Sequence, residues 1–159
     1  MKKLRIYLDT SVVGGCFDEE FRDASLALMN FIRLGIYIGL ISSITTEELR
    51  PAPQHVRDLL ADMDQEQLIY LPDSDEVADL AAEYMKAGIV TPTYRNDATH
   101  VAFATVHDAD VIVSWNFRHI VNLKKIEAFN SVNIRQGYRW IEIRTPKELI
   151  YGNETKEGF

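Results

Sequence analysis

The sequence predicts an α/β fold: three layers, α/β/α, around a mostly parallel central sheet of about five strands. Three observations carry this. Short runs of β-branched and aromatic residues alternate with stretches of helical period from end to end. Strands alternating with helices imply a largely parallel sheet covered on both faces. No internal repeat, low-complexity tract or linker interrupts the alternation, so residues 1–151 read as a single domain. Residues 152–159 read as a flexible C-terminal tail.

In chain order, residues 4–8 read as a buried strand that ends on the carboxylate of Asp9 and the hydroxyls of Thr10 and Ser11. Residues 23–34 carry apolar side chains at helical spacing, and Gly35 can cap the helix end. Residues 37–41 form the second strand. Thr45 opens a short helix that Pro51 and Pro53 stop or bend, and a further helix covers residues 55–63. Residues 69–71 are a short third strand before Pro72. Ser74 or Asp75 caps a helix that runs to about Lys86, with Gly88 past its end. After a loop at residues 91–95, Asn96 or Asp97 starts a helix to about His107. Residues 110–114 form the fourth strand, residues 120–129 a short helix, residues 138–143 the last strand, and Thr145-Pro146 opens a terminal helix.

A chain of 159 residues is long enough for one adequate core. At 47% hydrophobic and 26% charged it reads as ordered and globular. One cysteine, Cys16, rules out an intrachain disulfide and a zinc site built on thiolates, and fits a reducing compartment. It reads as a small apolar filler. No signal-peptide core follows Lys2 and Lys3, and the longest apolar run falls far short of the roughly 20 residues that span a bilayer. The expectation is a cytoplasmic protein with no membrane partner. A net charge of −7 argues against a general nucleic-acid coat, yet leaves room for an enzyme whose carboxylates bind metal.

Four groups fall where a strand ends or a helix begins: Asp9, Glu48, Asp97 and Asn116. In an open α/β sheet, ligands bind beyond the carboxyl ends of the strands. Oxygen donors converging there suit Mg²⁺ or Mn²⁺, which can activate water and stabilise charge on a phosphate. Each group also has a plainer reading. Asp9 alone serves equally as a helix cap. Thr45-x-x-Glu48 matches a capping box, which would turn Glu48 back onto the backbone. Asp97 in a first helical turn favours the macrodipole, which also keeps it charged. Asn116 alone reads as a turn residue. Their joint placement carries the signal. Glu47 lies about 100° round the helix from Glu48, so both do not point into one pocket.

Ile6-Tyr7-Leu8-Asp9-Thr10-Ser11, Ser43-x4-Glu48-Leu49, Asp97-Ala98-x-His100-Val101-Ala102 and Val113-Ser114-Trp115-Asn116-Phe117-Arg118-His119 resemble the four signature segments of PIN domains, among them the toxin ribonucleases of the VapC type. The resemblance spans residues 4–145. It implies a parallel sheet between helices, an acidic pocket that binds Mg²⁺ or Mn²⁺, and cleavage of RNA. Asp9, Glu48 and Asp97 match the acidic ligands. Asn116 stands where the commonest pattern has Asp; its amide oxygen can coordinate a cation or orient water but brings no charge. Thr10 and Ser11 would support Asp9 or the phosphate. An antitoxin protein would be a natural partner. Homodimers are frequent in the family, and the helices over residues 45–65 would offer a surface.

Arg95, Arg118 and His119 lie near these segments and would meet RNA or an ion-pair partner. Lys124, Lys125, Arg135 and Arg139 read as a solvated face that also suits RNA. His100 and His107, seven apart on one helix, are too far apart to share one ion and read as core or surface groups. Trp115 and Phe117 read as packing groups. Two other classes compete with the ribonuclease: a catalytically weak PIN-like module that binds RNA or protein, and a phosphotransfer protein using Asp9. The last lacks the second acidic residue such proteins carry beside the first; Ser11 is there instead.

Overall fold

The computed structural model describes residues 2–157, with side chains described through residue 151. Among these residues, five parallel strands form one sheet: β1 (Arg5–Leu8), β2 (Ile38–Ser42), β3 (Leu68–Leu71), β4 (Val111–Val113) and β5 (Glu142–Arg144). Their order is β3-β2-β1-β4-β5. The helices are α1 (Thr10–Gly15), α2 (Arg22–Arg33), α3 (Ser43–Leu49), α4 (Gln54–Ala61), α5 (Asp75–Lys86), α6 (Arg95–Val106), α7 (Leu123–Arg135) and α8 (Pro146–Glu157), with a 3₁₀ turn at Pro92–Tyr94 before α6. The expected tail falls on residues 152–159, whose side chains, and for the last two the backbone, lie outside the described residues.

The three layers follow from the two-residue period of the strands. On β1, Tyr7 faces one side while Ile6 and Leu8 face the other; Ile112 on β4 opposes Val111 and Val113 in the same way. Tyr7, Leu40, Ile112 and Ile143 pack with α5, α6 and α7. Ile6, Leu8, Val111, Val113 and Ile41 pack with α1, α2 and α8. A strand buried on both faces must be apolar at nearly every position, as residues 6–8 and 111–113 are.

Strand order sets where a site can form. From β1 the chain winds outward through β2 to β3, then returns to the other side of β1 for β4 and β5. The reversal leaves a crevice beyond the carboxyl ends of β1 and β4. Leu8 pairs with Val113 in register, and the Asp9 N–H donates to the Val113 carbonyl at 3.1 Å. Asp9 and Ser114 are therefore placed side by side at that crevice.

Three elements differ most from expectation. α1 occupies residues to which the sequence assigns no element; it is six residues long, and Val12-Val13-Gly14-Gly15 carry little helix propensity, so packing rather than propensity forms it. Gly15 lies against Trp115 and Ser25, where a Cβ would sit 2.8 Å from the indole Nε1 and 2.6 Å from the Ser25 hydroxyl. The last strand is three residues, Glu142–Arg144, and not residues 138–143. Asn130 ties up both polar groups of Ile141 before the ladder begins, accepting from its N–H at 2.7 Å and donating to its carbonyl at 3.0 Å. Helix α7 starts later and runs longer than expected, because Asn122 caps it by accepting from the Lys125 N–H.

Behind β5 lies a buried neutral network. Tyr84 donates to Asn133 Oδ1, Asn133 Nδ2 donates to Thr105 Oγ1 at 3.2 Å, and Asn133 faces Asn130 at 3.5 Å. Burial pushes the Tyr84 phenol upward, so it stays a neutral hydroxyl.

Candidate metal centre at the carboxyl edge of the sheet

Asp9 takes the N-cap position of α1, but among the described residues its side chain makes no cap bond. The carboxylate turns to two hydroxyls. Ser11 donates to Oδ2 at 2.6 Å and Ser114 donates to the same oxygen at 2.8 Å. Ser11 also accepts from the Trp115 N–H at 2.9 Å, which joins the start of α1 to the loop after β4. Asp9 is only 4% exposed, and its Oδ1 stands 3.5 Å from His100 Nε2.

Glu48 is free of the capping role that Thr45-x-x-Glu48 suggested. Helix α3 begins at Ser43, two residues earlier than expected, so the capping box joins Ser42 and Thr45. The Ser42 N–H donates to Thr45 Oγ1 at 3.2 Å, and the Ser42 side chain accepts from the Thr45 N–H. With the cap complete, Glu48 falls in the second turn of α3 and reaches the crevice. Thr10 donates to its Oε1 at 2.8 Å, and His100 Nε2 lies 2.5 Å from the same oxygen. Burial alone would raise Glu48, but the bonds from His100, Thr10 and Asn96 and the His100 charge outweigh it and lower its pKa.

Asp97 lies in the first turn of α6. The macrodipole there was expected to lower its pKa. The opposite holds: Asp97 is pushed up from the ordinary 3.8 to about 6, first by burial and next by the charge of Asp9, with Glu48 adding to it. The Asn116 amide beside it and the charge of His100 pull the other way without winning. Burial, with like charges beside it, outweighs a helix end.

Asn116 has two tasks. Its Oδ1 accepts from the His119 N–H at 2.9 Å, which closes the turn after β4. Its amide stands beside Asp97. With Oδ1 committed to the backbone, Asn116 is a holder of Asp97 rather than a free oxygen donor.

His100 is the group sequence reasoning missed. It is fully buried, with Nε2 facing Glu48 and Asp9 and Nδ1 2.6 Å from the Tyr7 hydroxyl. Tyr7 in turn lies 2.7 Å from Ser42 Oγ. Burial would lower His100, but Tyr7, the Glu48 bond and the charges of Asp9 and Glu48 raise it well above the usual histidine range. Facing a carboxylate that can only accept, Nε2–H donates to Glu48 Oε1, and Nδ1 shares a hydrogen bond with the Tyr7 hydroxyl. The available signal was its spacing: residue 100 is three beyond Asp97 on one helix face. Tyr7, Ser42, Ser114 and Asn96 were missed as well, since hydroxyl and amide partners leave no pattern of their own.

Arg118 lies over the Tyr94 ring at 5.5 Å, and Tyr94 stacks on His119 with centroids 4.0 Å apart. Burial, then the charges of Arg118 and Lys125, lower the His119 pKa. Arg95 is exposed at the start of α6, and its carbonyl accepts from Thr99. His107 packs on Phe103 away from this cluster.

Asp9, Glu48 and His100 are thus in direct contact, while Asp97 joins them through charge. Among the described residues no three His, Cys, Asp or Glu side chains stand as a finished metal cage. The donor set still fits a hard cation: carboxylate oxygens, two of them raising the pKa of the third, a repulsion that a cation relieves. No helix among the described residues is long and apolar enough to cross a membrane.

No protein-family model and no curated protein matches this sequence. Among the solved structures that share the fold are two toxin–antitoxin complexes by their names. One is VapBC2 from Rickettsia felis bound to a DNA fragment from their promoter, with a TM-score of 0.54 and 16% identity over 72% of this chain and 90% of that chain. The other is FitAcB from Neisseria gonorrhoeae, with a TM-score of 0.55 and 16% identity over 89% of this chain and 97% of that chain. At such identity the likeness is one of fold.

Proposed function

We propose that this chain is a metal-dependent endoribonuclease of the PIN toxin type, in which Asp9, Glu48 and Asp97 hold Mg²⁺ or Mn²⁺. The observation that carries the reading is Asp97. Burial first, then the charges of Asp9 and Glu48, push its carboxyl up to about 6, and these three carboxylates come from three elements at the switch point of the sheet. The VapC-type segment resemblance and the fold shared with a chain of VapBC2 point the same way.

A bound cation would polarise the scissile phosphate and activate water for in-line attack. The chain's own residues prepare for it. Ser11 and Ser114 fix one oxygen of Asp9, while Thr10 and His100 fix one oxygen of Glu48. Asn116 steadies Asp97. Arg95 and Arg118 offer guanidinium groups to the phosphate backbone. An antitoxin and a second copy of the chain belong to the same reading. A small DNA-binding protein encoded beside this one is the expected sign of the first, and a dimer in sedimentation of the second.

The direct test is cleavage of a broad RNA pool by the pure protein with Mn²⁺. Cleavage that Asp97→Asn leaves undiminished would sink the proposed centre. A second reading, a catalytically weak module that binds RNA or protein, draws on Asn116, whose amide brings no charge and whose oxygen is already committed. RNA binding retained with no Mg²⁺ or Mn²⁺ uptake at millimolar concentration would favour it.

A further inference from the structure

We infer that His100 is the positioning residue of this centre: its Nε2–H holds Glu48, and the Tyr7–Ser42 pair behind it fixes the ring, so that the carboxylates are set for a divalent cation before one arrives. The inference rests on the metal-centre reading above.

The geometry joins three elements through one ring. α6 supplies His100, which is fully buried. β1 supplies Tyr7, whose hydroxyl meets Nδ1 at 2.6 Å. α3 supplies Glu48, whose Oε1 meets Nε2 at 2.5 Å. The same Nε2 is 3.5 Å from Asp9 Oδ1 and 3.4 Å from Thr10 Oγ1. Tyr7 is itself held at 2.7 Å by Ser42, the residue that caps the helix bearing Glu48. The loop of contacts therefore closes on itself: the cap of α3 orients Tyr7, Tyr7 orients His100, and His100 orients a side chain of α3.

A histidine needed only for packing would be satisfied by Tyr7 on one nitrogen and an apolar wall on the other. Here the second nitrogen faces two carboxylates from different elements. Glu48 keeps 30% of its side chain exposed, so without this donor only the Thr10 hydroxyl would restrain three torsions that can turn the carboxylate toward solvent. Groups that hold metal-binding carboxylates in this way set affinity, and their loss typically weakens binding by about 10- to 100-fold.

Two substitutions separate the roles of the ring. His100→Gln can place an amide nitrogen near the Nε2 position, whereas His100→Asn reaches only the Nδ1 position. Mn²⁺ titration followed by electron paramagnetic resonance should show His100→Asn binding about 10- to 100-fold more weakly and His100→Gln close to the unmodified protein. Proton NMR of the metal-free protein should show a downfield imidazole N–H that is lost in Glu48→Ala. Wild-type affinity in a folded His100→Asn protein would overturn the inference. So would equal weakening in both variants that merely tracks their melting temperatures, or no such proton. If His100→Asn fails to fold, Tyr7→Phe, which keeps the ring and removes its anchor, must weaken Mn²⁺ binding for the inference to stand. Absence of Mn²⁺ binding by the unmodified protein would instead remove the metal-centre reading itself, and this inference with it.

Discussion

Two buried polar clusters sit in this molecule, and they are built on opposite principles. The Tyr84–Asn133–Thr105–Asn130 cluster behind β5 is made of neutral groups. Its amides and hydroxyls satisfy one another and the Ile141 backbone, so nothing is left over for a ligand. The Asp9–Glu48–Asp97–His100 cluster at the carboxyl edge is charged, and its charges do not cancel: Asp97 still feels Asp9 and Glu48 after His100 has answered them. A satisfied neutral network specifies the packing of α5, α6 and α7. A charged network with repulsion left over costs stability and asks for a partner.

The largest expected effect tests the charged cluster. Asp9→Asn should lower Mn²⁺-dependent RNA cleavage by about 100-fold or more, since several kcal/mol of charge stabilisation are at stake. Its circular dichroism should stay that of the unmodified protein. Next comes the neutral cluster. Asn133→Leu leaves Tyr84, Thr105 and Asn130 short of partners and should cost about 2 to 3 kcal/mol in urea unfolding. Mn²⁺ affinity of the folded variant should be unchanged; a parallel loss of metal binding would erase the distinction between the clusters.

A smaller effect, of opposite sign, comes from Asp97. The folded protein binds its proton up to about pH 6 against 3.8 for a free side chain. That contribution to stability is whole below about 3.8 and is lost as the pH rises through about 6. Asp97→Asn should therefore melt higher than the unmodified protein at pH 7 to 8 without metal, with the difference shrinking toward zero near pH 4. Scanning calorimetry across that range would read it; a stabilisation independent of pH would contradict the crowding. The smallest change is Ser42→Ala, which removes the α3 cap and the hydroxyl that holds Tyr7 and should cost about 1 to 2 kcal/mol in urea unfolding.

Much of the fold was legible because hydrophobic period survives in a single sequence. α2 and α5, each with a strong apolar face, fall within a residue or two of expectation. Asp9 and Ser11 were legible as strand-end groups. What escaped depended on partners distant in sequence. α1 is held by Trp115 and Ser25, whose proximity no local pattern announces. The cap of α3 hinged on Ser42 against Thr45, two equally good capping residues three apart. Asp97 was misjudged because the helix end is visible in sequence while its burial and the charges of Asp9 and Glu48 are not. His100 was visible only as a histidine on a helix, and its meaning needed Tyr7 and Glu48.

The paired glycines of α1 invite an unequal fate. A methyl group at residue 14 meets open space, whereas at residue 15 it collides with the indole ring and the Ser25 hydroxyl. The helix begins with Thr10 and Ser11, which grip Glu48 and Asp9. A single added carbon at the other end of α1 would therefore act as a wedge, tipping both hydroxyls away from their carboxylates without touching either one. The tolerance of this chain to drift at residue 15 is thus governed by a site whose own residues would look intact in any list of substitutions.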